Sequence, residues 1–520
     1  MRRDDMVSRA RASADTWDLI IIGGGASGLG TAVDATLRGY RTLLLEQHDF
    51  AKGTSSRSTK MAHGGVRYLQ QGNVPLVREA LRERGIMLRN APHLAHRVAF
   101  IVPRYQWWEL PYYGTGLKLY DMLAGRLGLG RSRILSVRAT QSVLPNVETR
   151  GLRGGILFYD GQFDDARLAI NLARTAADNG GVLLNYTRVT TLVKSQGRIS
   201  GVKARDEETG EELELHAKVV VNATGPFSDS VLQMDDPATA RIISPSQGVH
   251  LVLDRAFLPG NAALMVPRTS DGRVLFAVPW HKKLIVGTTD TPVEKAVLEP
   301  RPLEEEVDFI LGNLARYLSR DAGRKDVLCA YAGVRPLVAP SSTANTAAVS
   351  RDETIFVSGS GLVTVAGGKW TTYRNMAEKT VNKAAAVAGL PARPCVTEET
   401  HVHGYHTNPT ELGELWYYGA DAPMVEALLR EDPELGKPIH PLVPDVIAAQ
   451  VVFAVREEMA RSVEDFLARR TRTLLLDARR SIDAAPRVAE IMARELGKDS
   501  TWCARQVEAY SEQARGYIVS

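Results

Sequence analysis

Three rhythms of apolar and polar residues follow one another along the chain. The first is a continuous apolar run, Leu19-Ile20-Ile21-Ile22 behind Asp18, which predicts a buried strand. It breaks at Gly23-Gly24-Gly25-Ala26-Ser27-Gly28. Leu29, Val33 and Leu37 then recur at helical spacing, and a second short strand, Thr42-Leu43-Leu44-Leu45, closes on Glu46. The second rhythm is alternation. Residues 181–200 read as paired strands, and 213–222 as a strand running into Ala223-Thr224-Gly225. Residues 248–290 hold further short strands with Asp271-Gly272 as a hairpin turn, which predicts an antiparallel sheet distinct from the doubly wound part.

The third rhythm is helical. Residues 75–90 predict a helix with Val77, Leu81 and Met87 inside and Arg78, Glu79, Arg82, Glu83 and Arg84 in solvent. Residues 163–177 predict one entered through Asp164 and Asp165, acids suited to a positive helix end. A strand within 356–365 precedes a helix over 370–387. From about His401 the spacing is helical throughout, with Ile447, Val451, Ala454 and Val455 on one face. Ser462-Val463-Glu464-Asp465 has the form of a capping box ahead of Phe466 and Leu467.

Composition narrows the classes. At 520 residues there is room for two or three domains, and 44% hydrophobic with 24% charged residues is ordinary for a globular chain. A net charge of +4 without basic blocks excludes a nucleic-acid partner. Cys329, Cys395 and Cys503 are too scattered for a zinc site or a redox pair and fit a reducing compartment. His401, His403 and His406 lack acidic or thiol partners at ligand spacing, so they read as a solvated linker and no metal is expected. Residues 1–14 have no apolar core and read as a disordered tail rather than a signal; Asp4 and Asp5 speak against a transit peptide. No run of 18 apolar residues exists, so no spanning helix is expected.

The first strand, turn, helix and second strand carry the chemistry of a dinucleotide site. In G-x-G-x-x-G, Gly23 permits the tight turn, Gly25 admits a pyrophosphate and Gly28 lets helix and strand pack closely. The helix N-terminus attracts the phosphates, and Glu46 is placed to accept from ribose hydroxyls. The stretch from Gly53 to Tyr68 is too polar and small-residue-rich for an ordinary crossover helix. It reads as a loop and helix start, Thr54, Ser55, Ser56, Ser58, Lys60, His63 and Gly64 among its residues, that lies along an extended cofactor and offers hydroxyls and bare backbone, or else as a solvated loop.

Thr54-Ser55-Ser56 through His63-Gly64-Gly65-Val66-Arg67-Tyr68-Leu69 resembles the flavin-contacting segment of the FAD-dependent, quinone-linked glycerol-3-phosphate dehydrogenases. Four further matches follow in order. They are the run from Tyr159-Asp160-Gly161 to Leu168, Asn222-Ala223-Thr224-Gly225-Pro226, Gly333-Val334-Arg335-Pro336-Leu337, and Gly367-Gly368-Lys369-Trp370-Thr371-Thr372-Tyr373-Arg374.

The resemblance implies an α/β fold of the D-amino-acid and glycine oxidase type: a Rossmann-like FAD domain, an inserted antiparallel β substrate domain and an α-helical C-terminal domain. On this reading a tail occupies 1–15, the FAD domain 16–95, 151–235 and 351–395, a substrate or membrane-facing segment 96–150, the substrate domain 236–350 and the helical domain 400–520. It implies FAD held at the glycines and hydroxyls above, at Ala223 and Gly225, and at Gly368, Lys369, Trp370 and Thr371. The helix start after Gly367-Gly368 would favour negative charge on the flavin.

The implied reaction turns sn-glycerol 3-phosphate into dihydroxyacetone phosphate and sends electrons to a membrane quinone. A dianionic phosphate calls for converging cations, and Arg67, Arg335 and Lys369 are the candidates. His250 has the chemistry of a general base near neutral pH, Arg335 could stabilise a developing alkoxide, and Tyr68 could shape the pocket. An oxidase that hands electrons to oxygen would use the same site. A non-catalytic flavoprotein is disfavoured by the joint presence of these residues, and an NAD-linked enzyme by the single fingerprint. Tyr105, Trp107, Trp108, Tyr112 and Tyr113, flanked by Arg104, Lys118, Arg126, Arg131 and Arg133, suit either a membrane–water boundary or an interdomain core. The resemblance tilts toward the membrane, and so toward a cytoplasmic protein held peripherally on the inner face, with room for a homodimer.

Overall fold

The computed structural model describes residues 1–12, 16–65, 73–338 and 353–519. Apolar runs buried on both faces build the first sheet. Trp17–Ile22 lies at its centre, parallel to Thr42–Leu45 on one side and to Glu212–Asn222 on the other. Val182–Leu184 and Val363–Ala366 extend the parallel order outward, and Thr354–Val357 closes one edge antiparallel. The Ala26–Leu37, Tyr373–Val387 and Asp165–Asp178 helices pack against this sheet. Gly30 lets two of them meet: a Cβ there would sit 3.0 Å from the Tyr373 ring.

The alternating stretches build a second, ten-stranded sheet. Ile243–Asp254 pairs with Val327–Val338 on one side and with Lys283–Gly287 on the other. Leu275–Trp280 and Ala262–Val266 continue the meander across the turn at Gly272, whose φ is +82°. The sheet is wider than residues 236–350. Ala95–Pro103 and Gly155–Phe163 pair along their whole length and join it through Ala262–Val266. Each alternates too briefly to declare its sheet, and only the pairing assigns it.

Three other expectations are corrected. The first twelve residues are no tail, because Arg3–Ala12 is a helix with Arg3, Met6 and Ala10 buried. Arg3 donates to Asn185 O and to Asp206, a partner pair that composition cannot reveal. Glu83 and Arg84 face inward, where Arg374 grips Glu83 at 2.7 and 2.8 Å and Arg84 donates to Asp160 at 2.8 Å. Their partners come from distant segments, whereas Arg78 and Arg82 of the same helix are solvent-exposed as expected. The C-terminal region is not helical throughout: residues 401–408 are irregular, and Pro438–His440 pairs with Val443–Ile447 as a hairpin. The capping box is present: Ser462 Oγ accepts from Asp465 N, and Asp465 accepts from Ser462 N at 3.0 Å.

The C-terminal helices are joined to the elements around the first sheet by buried charge. Arg470 forks onto Asp49 at 2.5 and 2.9 Å, and Arg469 reaches Asp49, Glu464 and Asp465. Arg167 forks onto Glu458 at 2.6 and 2.9 Å, and Arg472 meets Asp164 at 2.9 Å. Burial pushes the Asp49 carboxyl up, but Arg470 and Arg469 outweigh it and hold the pKa below its ordinary value.

His403 fastens the same interface further out. Its Nδ1 faces Asp178 at 2.5 Å and its Nε2 faces Asp421 Oδ2 at 2.9 Å, an oxygen it shares with Arg174. Burial lowers its pKa, but the two carboxylates outweigh burial and the net shift is upward. A cation raised in this way adds stability that is complete below the unfolded pKa of about 6.5 and fades as pH rises through the folded value. His403→Gln is therefore expected to lower the urea midpoint more at pH 6 than at pH 9. An equal loss at both would show that the imidazolium is not the stabilising form.

Candidate active site

One cavity of about 800 Å³ reaches from Glu46 beside the glycine turn to Arg335 and His250 on the second sheet. Its first wall is the turn after the central strand. Gly23 has φ +107°, and a Cβ there would meet Ala223 O at 2.7 Å. The Asn222-Ala223-Thr224-Gly225 turn thus lies directly under the glycine turn, shaped by Asn222 Oδ1 accepting from Thr224 Oγ1 at 2.7 Å. Gly25, Ala223 and Gly225 line the cavity. Gly28 does not; a Cβ there would run into Gly23 O, so it serves close packing. Glu46 is oriented by the backbone, accepting from Gly24 N at 2.7 Å and His48 N at 2.8 Å, while burial raises its pKa despite both bonds.

Residues 54–64 were expected to lie along a cofactor as a whole, and the structure divides them. Thr54, Ser55, Ser58, Thr59 and His63 line the cavity. Ser56, Lys60 and Gly64 turn away. Lys60, at φ +60° and fully buried, puts its ammonium 2.6 and 2.7 Å from the Asp165 oxygens and 2.6 Å from Ser56 O. Burial lowers its pKa and raises that of Asp165, and their contact opposes both shifts. Gly64 N donates to Tyr120 OH at 2.7 Å on a packing surface shared with Leu81. Ser55 Oγ accepts from Ala26 N at 2.9 Å, satisfying one free donor of the Ala26–Leu37 helix. Thr54 donates to Val334 O at 2.6 Å, Trp370 Nε1 to Ser55 O at 2.8 Å, and His63 N to Thr371 Oγ1 at 3.3 Å. Gly368, Lys369, Trp370 and Thr371 line the cavity beside this segment.

The far end is made by paired strands. His250 stands opposite Tyr331, and Arg335 opposite Ser246, so all four share one face of the sheet. Arg335 donates to Thr289 O at 3.1 Å, to Thr288 Oγ1 at 3.2 Å and to Asp290 at 3.3 Å. His250 stacks on Tyr331 with ring centroids 4.9 Å apart, and its Nε2 meets Thr59 Oγ1 at 2.8 Å. Burial first, then the charges of Arg335 and Lys60, pull the His250 pKa well below its ordinary value, so the ring is neutral at pH 7. Arg67 and Tyr68 lie outside the described residues.

Sequence reasoning missed Thr59, Tyr331 and the Thr288-Thr289-Asp290 run. It also missed Glu306, which accepts from Thr289 and Thr291 at 2.8 and 2.6 Å behind Arg335. Thr59 sits inside the Gly53–Tyr68 stretch, but nothing in sequence sets it apart from its neighbours. Of the linker histidines, His401 stacks on Tyr405 and His406 accepts from Asn408 N.

A bare glycine cradle at a helix start, an acid after the second strand and an enclosed slot suit a bound dinucleotide. With the inserted sheet they define the class, an FAD-dependent oxidoreductase, and the model described as FAD dependent oxidoreductase matches residues 18–374. A second, the C-terminal domain of alpha-glycerophosphate oxidase, matches residues 363–503. The chain belongs to the FAD-dependent glycerol-3-phosphate dehydrogenase family. It is 41% identical to mitochondrial glycerol-3-phosphate dehydrogenase of Homo sapiens over 95% of this chain and 72% of that protein. Against the Schizosaccharomyces pombe enzyme identity is 39%, covering 96% and 87%. The structure of the Bacillus halodurans glycerol-3-phosphate dehydrogenase complexed with FAD superposes with TM-score 0.81 at 30% identity, covering 99% of this chain and 97% of that one. Glycine oxidase from Geobacillus kaustophilus, at TM-score 0.52 and 19% identity, shares the fold alone.

Gly25 tests the cradle. It is extended at φ −86°, and an added Cβ would stand 3.0 Å from Ser55 Oγ at the cavity wall. Gly25→Val is expected to yield chain with native circular dichroism and little flavin absorbance at 450 nm or so. Wild-type flavin content in the variant would contradict the placement.

Proposed function

We infer that the chain oxidises sn-glycerol 3-phosphate to dihydroxyacetone phosphate with FAD and passes the electrons to a membrane quinone. The observation that carries the chemistry is the shared strand face. It sets a fixed guanidinium, Arg335, beside a neutral buried imidazole, His250, at one end of the cofactor cavity. Gly25, Glu46, Ala223 and the Gly367–Thr371 turn are the residues that would hold FAD, and bound FAD supplies the acceptor for the hydride from C2. Arg335 and Lys369, which both line the cavity, would with Arg67 bind the phosphate and orient C2. Arg335 also offers fixed positive charge to oxygen as its proton departs, and its three hydrogen bonds remove the need to reorganise. His250, uncharged, would take that proton.

The exposed aromatic stretch supports the quinone acceptor. Trp107 is 73% exposed, Tyr112 53% and Met122 70%, while Leu117 and Tyr120 of the same Glu109–Ala124 helix are buried. A core between domains would have covered these rings. Tyr113, one residue on, lines the cavity, so this outer surface adjoins the site. No helix among the described residues is long and apolar enough to cross a membrane. We place the protein at the inner face of the membrane, held by shallow insertion of this surface.

Two experiments test the reading. Arg335→Ala is expected to lower kcat/KM for glycerol 3-phosphate by roughly 3 kcal/mol, about a hundredfold, the scale for losing one preorganised charged donor. Glycerol should be a very poor substrate of the wild type; equal turnover of the two would remove the phosphate anchor. Trp107→Ser with Trp108→Ser is expected to weaken liposome binding and slow turnover with a long-tailed quinone, while turnover with a water-soluble dye persists. Rapid reoxidation of the reduced enzyme by oxygen and not by quinone would instead identify an oxidase.

A further inference from the structure

His250 is the candidate base, yet little of its ring is open to the cavity it borders. The residue is 2% exposed, Tyr331 covers one face, and its Cδ2 edge lies against Gly287 with no space for a Cβ between them. Nδ1 is buried without a hydrogen-bond partner among the described residues. Nε2 is met by the Thr59 hydroxyl at 2.8 Å, and Thr59 lines the cavity. The hydroxyl therefore stands between the imidazole and the substrate space.

Thr59 is also held firmly for a residue in a short connecting segment. Ser58 before it gives N–H and O–H to Asp165 Oδ2 at 3.1 and 2.7 Å, and Lys60 after it is paired with the same carboxylate. Tyr331, the ring stacked on His250, donates to Ser58 O at 3.0 Å. The base and its neighbour are thus fixed to one frame.

We propose that Thr59 relays the proton of the substrate's secondary hydroxyl to His250. The O–H bond at C2 breaks toward Thr59 Oγ while the Thr59 O–H bond breaks toward His250 Nε2. One N–H bond forms, the threonine ends as an alcohol, and the imidazole gains one proton and one positive charge. The C2–H electron pair leaves with the hydride to FAD, the oxidant of the proposed reaction. Nε2 must be bare at the outset, which puts the neutral ring's proton on Nδ1. The groups around the ring are Tyr331, Arg335 and Lys60, with Asp165 behind Lys60, and the net field there disfavours a cation. A base that weak accepts the proton only as the C–H bond breaks, when the hydroxyl becomes acidic.

The relay rests on the glycerol 3-phosphate reading, and one set of measurements separates their failures. Anaerobic flavin reduction by glycerol 3-phosphate would be followed by stopped flow for the wild-type holoenzyme, Thr59→Val and Thr59→Ser. Binding of dihydroxyacetone phosphate would be titrated by the flavin spectrum. Thr59→Ser is expected within about threefold of wild type, and Thr59→Val about a hundredfold slower with product affinity within about threefold. In H2O–D2O mixtures the wild-type rate should follow a curved proton inventory, since two protons move together. Full-rate reduction of Thr59→Val, or a linear or absent inventory, overturns the relay. If Thr59→Val does not retain FAD, the wild-type inventory and Thr59→Ser decide. A wild type that glycerol 3-phosphate does not reduce overturns the underlying reading instead.

Discussion

A single buried carboxylate, that of Asp165, fixes the geometry on which the site depends. Its two oxygens receive Lys60 Nζ, Ser58 Oγ, Ser58 N and Ala166 N, so a helix start and a loop share one anion. The loop it clamps is tied outward on every side: Thr54 to the Val327–Val338 strand, Ser55 to the Ala26–Leu37 helix and to Trp370, and Thr59 to His250. An unpaired carboxylate at this depth would be costly, and so would an unpaired ammonium, which is why the pair holds its place.

Where the sequence was legible, a local rule sufficed. The glycine turn, the strand that follows it and Glu46 stand as spacing predicts, because each depends on residues within about one βαβ unit. Asp271-Gly272 makes its hairpin, and Ser462 with Asp465 makes its cap, for the same reason. Where it was not legible, the deciding partner was remote. Lys60 reads as a cofactor-binding residue until Asp165, 105 positions on, draws it inward. Glu83 reads as solvated until Arg374, 291 positions on, closes on it. Arg3 likewise turns an apparent tail into a docked helix by reaching Asp206.

The same limit explains the second sheet. Its two outlying strands, Ala95–Pro103 and Gly155–Phe163, flank the aromatic stretch, so the Glu109–Ala124 helix is an excursion between neighbouring strands. Leu110 and Tyr113 pack with Phe100, Phe158 and Met265 under that helix, which leaves Trp107 and Tyr112 to face outward. An inner apolar face and an outer aromatic one on a single helix could not be separated by composition.

Asp49 stands three residues after Glu46, in the loop that closes the nucleotide side, yet its cations are 420 and 421 positions later. A ribosome adding about 5–20 residues per second needs roughly 20–80 s to cover that distance. Until then the carboxylate has no counter-charge of its own and keeps its water, since burying it alone would be strongly unfavourable. The glycine turn closes on neighbouring residues, but the loop beside it needs the segment that carries Arg469 and Arg470. The loop after Glu46 and the Arg469–Arg470 segment are therefore ordered together, by one shared carboxylate.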